Sequence, residues 1–347
     1  MERTFRKFTI AKAVICIMAF ALFSCNKKKE ITPISSEDLL FYPAHFPSPV
    51  YTFENNDFSE RGFELGKKLF FDNSLSSDQT ISCASCHHQQ FAFSDASHPI
   101  SEGVEGRLGR RNSPPLFNLI WHESFMWDGG INHIEVMPIA PFTDHAEMDM
   151  EINEIVTILN NKPSYKKEFS AVFGSSSIDS QQLLLALTQY MGALISSNSK
   201  FDKVENGEAS FNEKEILGLN LFNNHCSSCH SSALFMDNEF HDNGIGVNPL
   251  VDQGRYEITQ NVNDLGKFKT PSLRNVMLTY PYMHDGRLTN LEDVIEHYSS
   301  GITETDNLSP LLPVGGFEFS DAEKNALIAF LKTLTDWNFI YDNRFSK

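Results

Sequence analysis

The spacing of apolar residues predicts helices at four places, and the four fall into two matching pairs. Residues 60–71 and 212–223 each carry a glycine followed at helical spacing by Leu-Phe: Gly66-Lys-Lys-Leu69-Phe70 in one, Gly218-Leu-Asn-Leu221-Phe222 in the other. Further along, Ala186-Leu-Thr-Gln-Tyr190-Met-Gly-Ala-Leu194 and Ala326-Leu-Ile-Ala-Phe330-Leu-Lys-Thr-Leu334 agree at their apolar and small positions. The last of these helices opens with Ser320-Asp-Ala-Glu323, a capping box that marks a helix start. The repeat predicts two copies of one unit: a helix, a long loop-rich stretch and a closing amphipathic helix. Period-two alternation is scarce, so no sheet-based domain is expected.

A different pattern opens the chain. Residues 13–23 form an eleven-residue apolar run behind Arg3, Arg6, Lys7 and Lys12, too short to span a bilayer and arranged as a secretory signal. Its end, Leu22-Phe23-Ser24-Cys25, resembles a bacterial lipobox, in which the cysteine is acylated and becomes the first residue. Phe23 departs from that pattern, so an uncleaved anchor is the alternative. The expectation is a signal peptide over 1–24, lipidation at Cys25, and a flexible tether over 25–50 that holds three Lys and four Pro. That places the protein in the cell envelope as a periplasm-facing lipoprotein, touching the membrane through its lipid anchor alone.

Composition bounds the rest. The 347 residues, 41% hydrophobic and 12% aromatic, suffice for two domains with sizeable cores. The formal charge is −17; removing residues 1–24 deletes four basic and one acidic residue, leaving 24 Lys+Arg against 44 Asp+Glu, or −20. No basic patch could offset that balance, which excludes nucleic acid as a partner.

Cysteine spacing carries the chemistry. Cys16 lies in the signal and Cys25 at its end, and the other four cysteines form Cys83-Ala-Ser-Cys86-His87 and Cys226-Ser-Ser-Cys229-His230. C-x-x-C-H is the covalent haem attachment pattern. Two thiols add across the vinyl groups at one porphyrin edge, and the adjacent imidazole reaches the iron from the proximal side. A zinc ribbon or a redox dithiol also uses C-x-x-C, but these clusters stand 143 residues apart and neither rival requires the histidine. Each unit of the repeat is therefore expected to hold one c-type haem. The predicted fold is mostly α, with two cytochrome c-like domains over 51–200 and 201–347, joined near 198–210. Each has one covalently bound haem in place of much of its side-chain core.

With these clusters in view, the chain resembles a known family. LGKKLFFDNSLSSDQTISCASCHH, GRRNSPPLFN, FMWDGG, PIAPFTDHAEM, FKTPSLRNVMLTYPYMHDGR and SDAEKNALIAFLKTL follow in that order between about residues 59 and 336. They are similar to the motif series of the bacterial dihaem cytochrome c peroxidases, a family that includes the MauG-type enzymes. The resemblance implies a peroxide-binding haem in the N-terminal domain and an electron-supplying haem in the C-terminal one, with His87 and His230 as proximal ligands. It implies that Trp127 relays electrons between them. It also implies that Glu147 is the acid/base carboxylate, moving a proton between the peroxide oxygens so that the O–O bond breaks heterolytically. Read without the resemblance, Glu147 is a solvated acid beside Asp144 and Asp149.

The family also holds a Ca²⁺ between its domains. The corresponding ligands are Asn112 and the backbone carbonyls of Thr279 and Pro281, and hard oxygen donors suit that ion. The implied reaction is H₂O₂ + 2e⁻ + 2H⁺ → 2H₂O, with a cytochrome c or cupredoxin as electron donor. The acidic surface, joined by four haem propionates, favours a cationic donor whose association weakens as salt rises. A homodimer is an open alternative to a monomer.

Three positions depart from the family pattern. Where some members carry a displaceable histidine that caps the first iron, this chain has Val104, with His98 six residues earlier; an open first iron is expected. Met137 replaces a glutamine, which removes a polar neighbour of the peroxide and adds an oxidisable sulfur. Tyr298 stands fourteen residues after His284, where the well-known peroxidases have the methionine that completes the second haem. Tyrosine is the MauG-type choice, and a phenolate lowers the potential that a thioether would raise. Tyrosine ligation shifts weight towards MauG-like oxidation of a protein or organic substrate. Read alone, Tyr298 could be a packed aromatic, with His297 or Met283 nearer the iron. A non-enzymatic dihaem electron-transfer protein is the reading from another class. The other histidines (His45, His88, His122, His133, His145, His225 and His241) are expected on surfaces or loops.

Overall fold

The four helices that the repeat predicts pack in two crossings that frame the molecule. The computed structural model describes residues 39–248 and 251–347. In it, α1 (Glu60–Phe70) packs along α2 (Ser180–Gly192), and α3 (Glu213–His225) packs along α4 (Asp321–Lys332). Both crossings are backbone-close. A Cβ added to Gly66 would fall 2.0 Å from the Ala186 carbonyl oxygen, and one added to Gly218 would fall 2.0 Å from that of Ala326. These are the positions that the sequence repeat aligns, so the two copies share one packing solution.

Local signals set the helix ends. The Ser59 hydroxyl accepts from the Gly62 N–H at the start of α1, and Lys67 and Lys68 occupy its last turn, where they oppose the helix dipole. The capping box of α4 is formed, with Glu323 accepting from the Ser320 N–H at 2.8 Å. Helix α2 is buried along Leu183–Gly192, because it runs through the middle of the N-terminal half. The helices Ile152–Asn160 and Pro163–Phe173 complete that half. In the other half, Leu291–Glu296 continues into a π-helical turn, His297–Gly301. Strands β1 (Phe240–His241) and β2 (Phe268–Lys269) pair antiparallel, with Phe240 opposite Lys269.

Two expected boundaries move. The tether assigned to 25–50 is packed from Leu39 onward. Leu39 and Phe46 are buried, Trp121 Nε1 donates to the Pro47 carbonyl at 2.8 Å, and the N–H groups of Val50 and Tyr51 both reach the Ile120 carbonyl. Isolated apolar residues in a proline-rich stretch have found an apolar wall, and burial outweighs the freedom of a linker. The signal region 1–24, Cys25 and the first part of the tether lie outside the described residues. The second change concerns the end of the C-terminal domain, which was expected to run to 347. Helix α5 (Trp337–Ile340) and the residues after it turn back onto the N-terminal half. Phe339 packs on Phe93 and Phe117, Phe345 packs on Phe63, and Tyr190 Oη donates to the Phe345 carbonyl at 2.8 Å.

A buried ion pair ties the linker to the C-terminal half. Arg274 is fully buried and donates to both oxygens of Asp202 at 2.9 and 2.6 Å, while His45 lies 2.9 Å from the same carboxylate. Burial alone would raise the Asp202 carboxyl, but the bonds from Arg274 and Ser199 hold it down at about 2.

Candidate active site

Each C-x-x-C-H cluster is a helical turn on the wall of one connected cavity of about 560 Å³, lined by residues of both halves. Cys83–Cys86 form the first turn, which the His87 N–H closes on the Cys83 carbonyl at 3.0 Å. The second extends α3: the Cys226 N–H bonds to the Phe222 carbonyl at 2.8 Å, and the His230 N–H to the Cys226 carbonyl at 3.0 Å. All four cysteines are free of disulfides. Burial pushes Cys83 and Cys226 up to about 12 and Cys86 up to about 11, so they stand as thiols.

The two imidazoles are held in the same way. His87 Nδ1 lies 2.8 Å from the Phe93 carbonyl and His230 Nδ1 lies 3.1 Å from that of Phe235. Both acceptor residues are left-handed, with φ of 60° and 55°, an uncommon state for phenylalanine. With Nδ1–H given to a carbonyl, Nε2 keeps a bare lone pair on a neutral ring, the form that ligates iron. Burial enforces neutrality: it lowers His87 to about 4 against the pull of the Phe93 bond, and it lowers His230 as well. Two free thiols, a neutral oriented imidazole and a cavity wall form a donor set that fits a c-type haem in each half.

Glu147 is on the same cavity wall as Cys83, Cys86 and His87. Its carboxylate has no hydrogen-bond partner among the described residues. Its backbone is fixed, because the Val104 N–H bonds to the Glu147 carbonyl at 2.9 Å. That approach needs the glycine at 103, where a Cβ would come within 2.1 Å of the Ala146 carbonyl oxygen. Glu147 is an exposed residue that lines the cavity, and desolvation by the surrounding protein raises its carboxyl to about 7, with Asp144 adding to the effect. His145 points elsewhere: it is exposed and bonds with Arg107 and Asp149. Val104 is fully buried in the core, and His98 Nδ1 lies 3.2 Å from Asp95. Neither residue lines the cavity, whereas Met137 does.

Trp127 sits where the halves meet. Its Nε1 donates to the Asn112 carbonyl at 2.8 Å, and its own carbonyl accepts from the Lys269 N–H at 2.8 Å. Arg255 Nη1 donates to the carbonyls of Asp128 and Gly129 at 2.8 and 2.9 Å, and Arg111 pairs with Asp128 and Asp252. Trp127 is thus held from both halves, the indole by Asn112 and the backbone by Lys269. Asn112, Thr279 and Pro281 line the same cavity. Asn112 Nδ2 donates to the Pro99 carbonyl at 3.0 Å, and Oδ1, which accepts no hydrogen bond among the described residues, is left as a donor for a hard cation.

In the C-terminal half, Tyr298 and Met283 line the cavity and His297 does not. His297 Nε2 is taken by the Asn243 carbonyl at 3.1 Å. Asn243 Nδ2 donates to Tyr298 Oη at 3.3 Å and lies 3.5 Å from Met283 Sδ. Burial raises the Tyr298 phenol to about 12, against the lowering effect of the Asn243 bond.

Residues 60–210 match the family model of the di-haem cytochrome c peroxidases, and residues 216–335 match that of cytochrome c. A methylamine utilization protein MauG from Methylorubrum extorquens is 34% identical over 329 residues, which cover 92% of each chain. The chain belongs to the di-haem cytochrome c peroxidase family. A cytochrome c551 peroxidase of Nitrosomonas europaea, another relative, is 32% identical over 296 residues and 83% of each chain. Among solved structures, a MauG-like protein associated with microbial copper homeostasis superposes with a TM-score of 0.81 at 32% identity, covering 88% of this chain and 97% of that one. Membership in the di-haem family accounts for a mostly helical fold of two cytochrome c-like domains and for two c-type haems.

Several residues of this site escape the sequence reading. His122 and His225, expected on surfaces or loops, both line the cavity, and His241 does so while paired with Asp237 at 2.9 Å. Lys269 stands inside the quoted FKTPSLRN motif, yet nothing in that pattern marks it as buried. Arg255 lies in a stretch with no motif at all.

Proposed function

We propose that the protein is a dihaem c-type peroxidase that reduces hydrogen peroxide to water, H₂O₂ + 2e⁻ + 2H⁺ → 2H₂O. A small redox protein would deliver the electrons to the C-terminal half. The observation that carries this reading is Glu147, a carboxyl with no hydrogen-bond partner among the described residues, raised to about 7 on the cavity wall shared by Cys83, Cys86 and His87. Bound haem supplies an iron at which peroxide can be reduced, and the second haem supplies the accompanying electron. As a carboxylate, Glu147 takes the proton from one peroxide oxygen. As the acid, it returns that proton to the other oxygen, which leaves as water. A group titrating near neutrality can do both in one turnover. Trp127, clamped between Asn112 and Lys269, supports an electron relay across the seam. Asn112, Thr279 and Pro281 would hold Ca²⁺ through oxygens from both halves, pinning the loop on which the indole rests.

A second reading has its own support. Tyr298, enclosed in the cavity with its hydroxyl bonded to Asn243, favours a MauG-like enzyme that oxidises a protein or organic substrate. Export as a lipoprotein acylated at Cys25, and a cationic cytochrome c or cupredoxin as donor, belong to the proposal. Among the described residues no helix is long and apolar enough to cross a membrane.

Steady-state peroxide turnover with reduced cytochromes is the test. The expected result is cytochrome oxidation that falls about 10²- to 10⁴-fold in Glu147→Gln. Turnover untouched by that change would remove Glu147 from the mechanism, and no peroxide-dependent cytochrome oxidation at all would remove the reading. Peroxide-driven oxidation of an organic substrate, with cytochromes left reduced, would move the protein to the MauG-like class.

A further inference from the structure

Strand β2 carries a charge into the interior. Lys269 is 6% exposed and lines the cavity, and its backbone N–H holds the Trp127 carbonyl. An ammonium has three donors and, once buried, needs an anion. Nζ of Lys269 instead lies 4.0 Å from Met236 Sδ, a weak acceptor. No carboxylate among the described residues pairs with it; Asp237 and Glu123 act on it only through space. Burial pulls Lys269 down to about 8 against the attraction of those two acids.

The neighbouring His122 brings no counter-charge. His122 is held neutral by burial and by the charge of Lys269, and its enclosed Nε2 has no partner among the described residues. A built-in cation beside a neutral ring, in the cavity that takes the haems, is an anion site in want of its anion. Each haem brings two carboxylates to that cavity.

We propose that Lys269 binds a propionate of the C-terminal haem and raises that haem's potential. The choice of haem follows from Met236, on which Nζ rests and which stands six residues after the iron-ligating His230. The direction follows from charge. A cation at the porphyrin rim favours the iron state of lower positive charge, which is the ferrous one. A propionate left without its cation does the reverse. The inference rests on the two c-type haems and is independent of whether peroxide or an organic molecule is the physiological substrate.

The test uses the holoprotein carrying both haems. Lys269→Met and Lys269→Arg are compared by spectroelectrochemical titration and by the propionate bending band in resonance Raman spectra. In Lys269→Met the midpoint potential of the C-terminal haem should fall and the propionate band should shift. The N-terminal haem should move less, and Lys269→Arg should restore most of both signals. Lys269→Gln serves if the Met variant does not mature, with the same fall in potential expected. Unchanged potentials and an unchanged band at full haem content would overturn the proposal. A fall in potential with an unmoved band would overturn the contact, leaving Lys269 a distant charge. A shift confined to the N-terminal haem would overturn the assignment.

Discussion

Glu147 owes its raised carboxyl to what surrounds it and to what is withheld. Gly103 and Val104 fix its backbone, no donor among the described residues satisfies its carboxylate, and the protein around it holds the proton more tightly than water does. The folded-state value of about 7 lies above the ordinary 4.5, so the folded protein binds this proton more strongly than the unfolded chain does. Stability from this group is complete below pH 4.5 and is lost as pH rises through about 7. Glu147→Gln should therefore match the parent near pH ~4 and melt at a higher temperature near pH ~8. The arm of the pH–rate profile that falls below neutrality should vanish with it. Thermal melts at the two pH values and the rate profile check these outcomes. Single residues of this kind were hard to read. Glu147 looked like one acid among several until its place in the motif series was recognised. Nothing in the sequence marks Lys269 as buried, because whether a lysine is buried depends on what distant segments the fold brings against it.

At the scale of elements, two glycines set the distance between helices. Replacing Gly66 or Gly218 by alanine would raise helix propensity by about 1 kcal/mol. The new methyl group would stand 2.0 Å from a backbone carbonyl oxygen of the facing helix, which cannot rotate away. Overpacking of this sort costs ~1–3 kcal/mol or more, so the clash should win. Both variants should lose stability in denaturant titrations, and each should loosen its own half first under hydrogen exchange. That these helices cross backbone to backbone is not legible in the sequence; the four helices themselves are, since Gly66, Ala186 and Tyr190 repeat as Gly218, Ala326 and Phe330. The capping box at Ser320 was legible for the same reason: local chemistry decides it. The packing of Leu39 and Phe46 was not, because lone apolar residues among prolines become informative only when the wall they meet is known.

Across the whole molecule, sequence order and spatial order part company. Phe345, 3% exposed, lies against Phe63 and Phe339 although it is two residues from the end of the chain. Phe345→Ala should cost ~3–5 kcal/mol, the range for emptying a buried phenylalanine site. The loss should appear in the N-terminal half, as faster amide exchange along α1 and α2. An effect confined to α3 and α4 would contradict the packing described. The sequence does not reveal this return for a physical reason: the C-terminal repeat ends near Leu334, and nothing in a short Trp-Asn-Phe-Ile segment says which core it will join.

This return of the tail also decides where the molecule can be cut. A cleavage just after Leu334, where the C-terminal repeat ends, would strip away Phe339 and Phe345, which cover Phe93, Phe117 and Phe63 in the opposite half. The Tyr190 hydroxyl would lose its acceptor, the Phe345 carbonyl, in the same stroke. The damage would fall on the half that the cut does not touch, so the two halves are not separable modules.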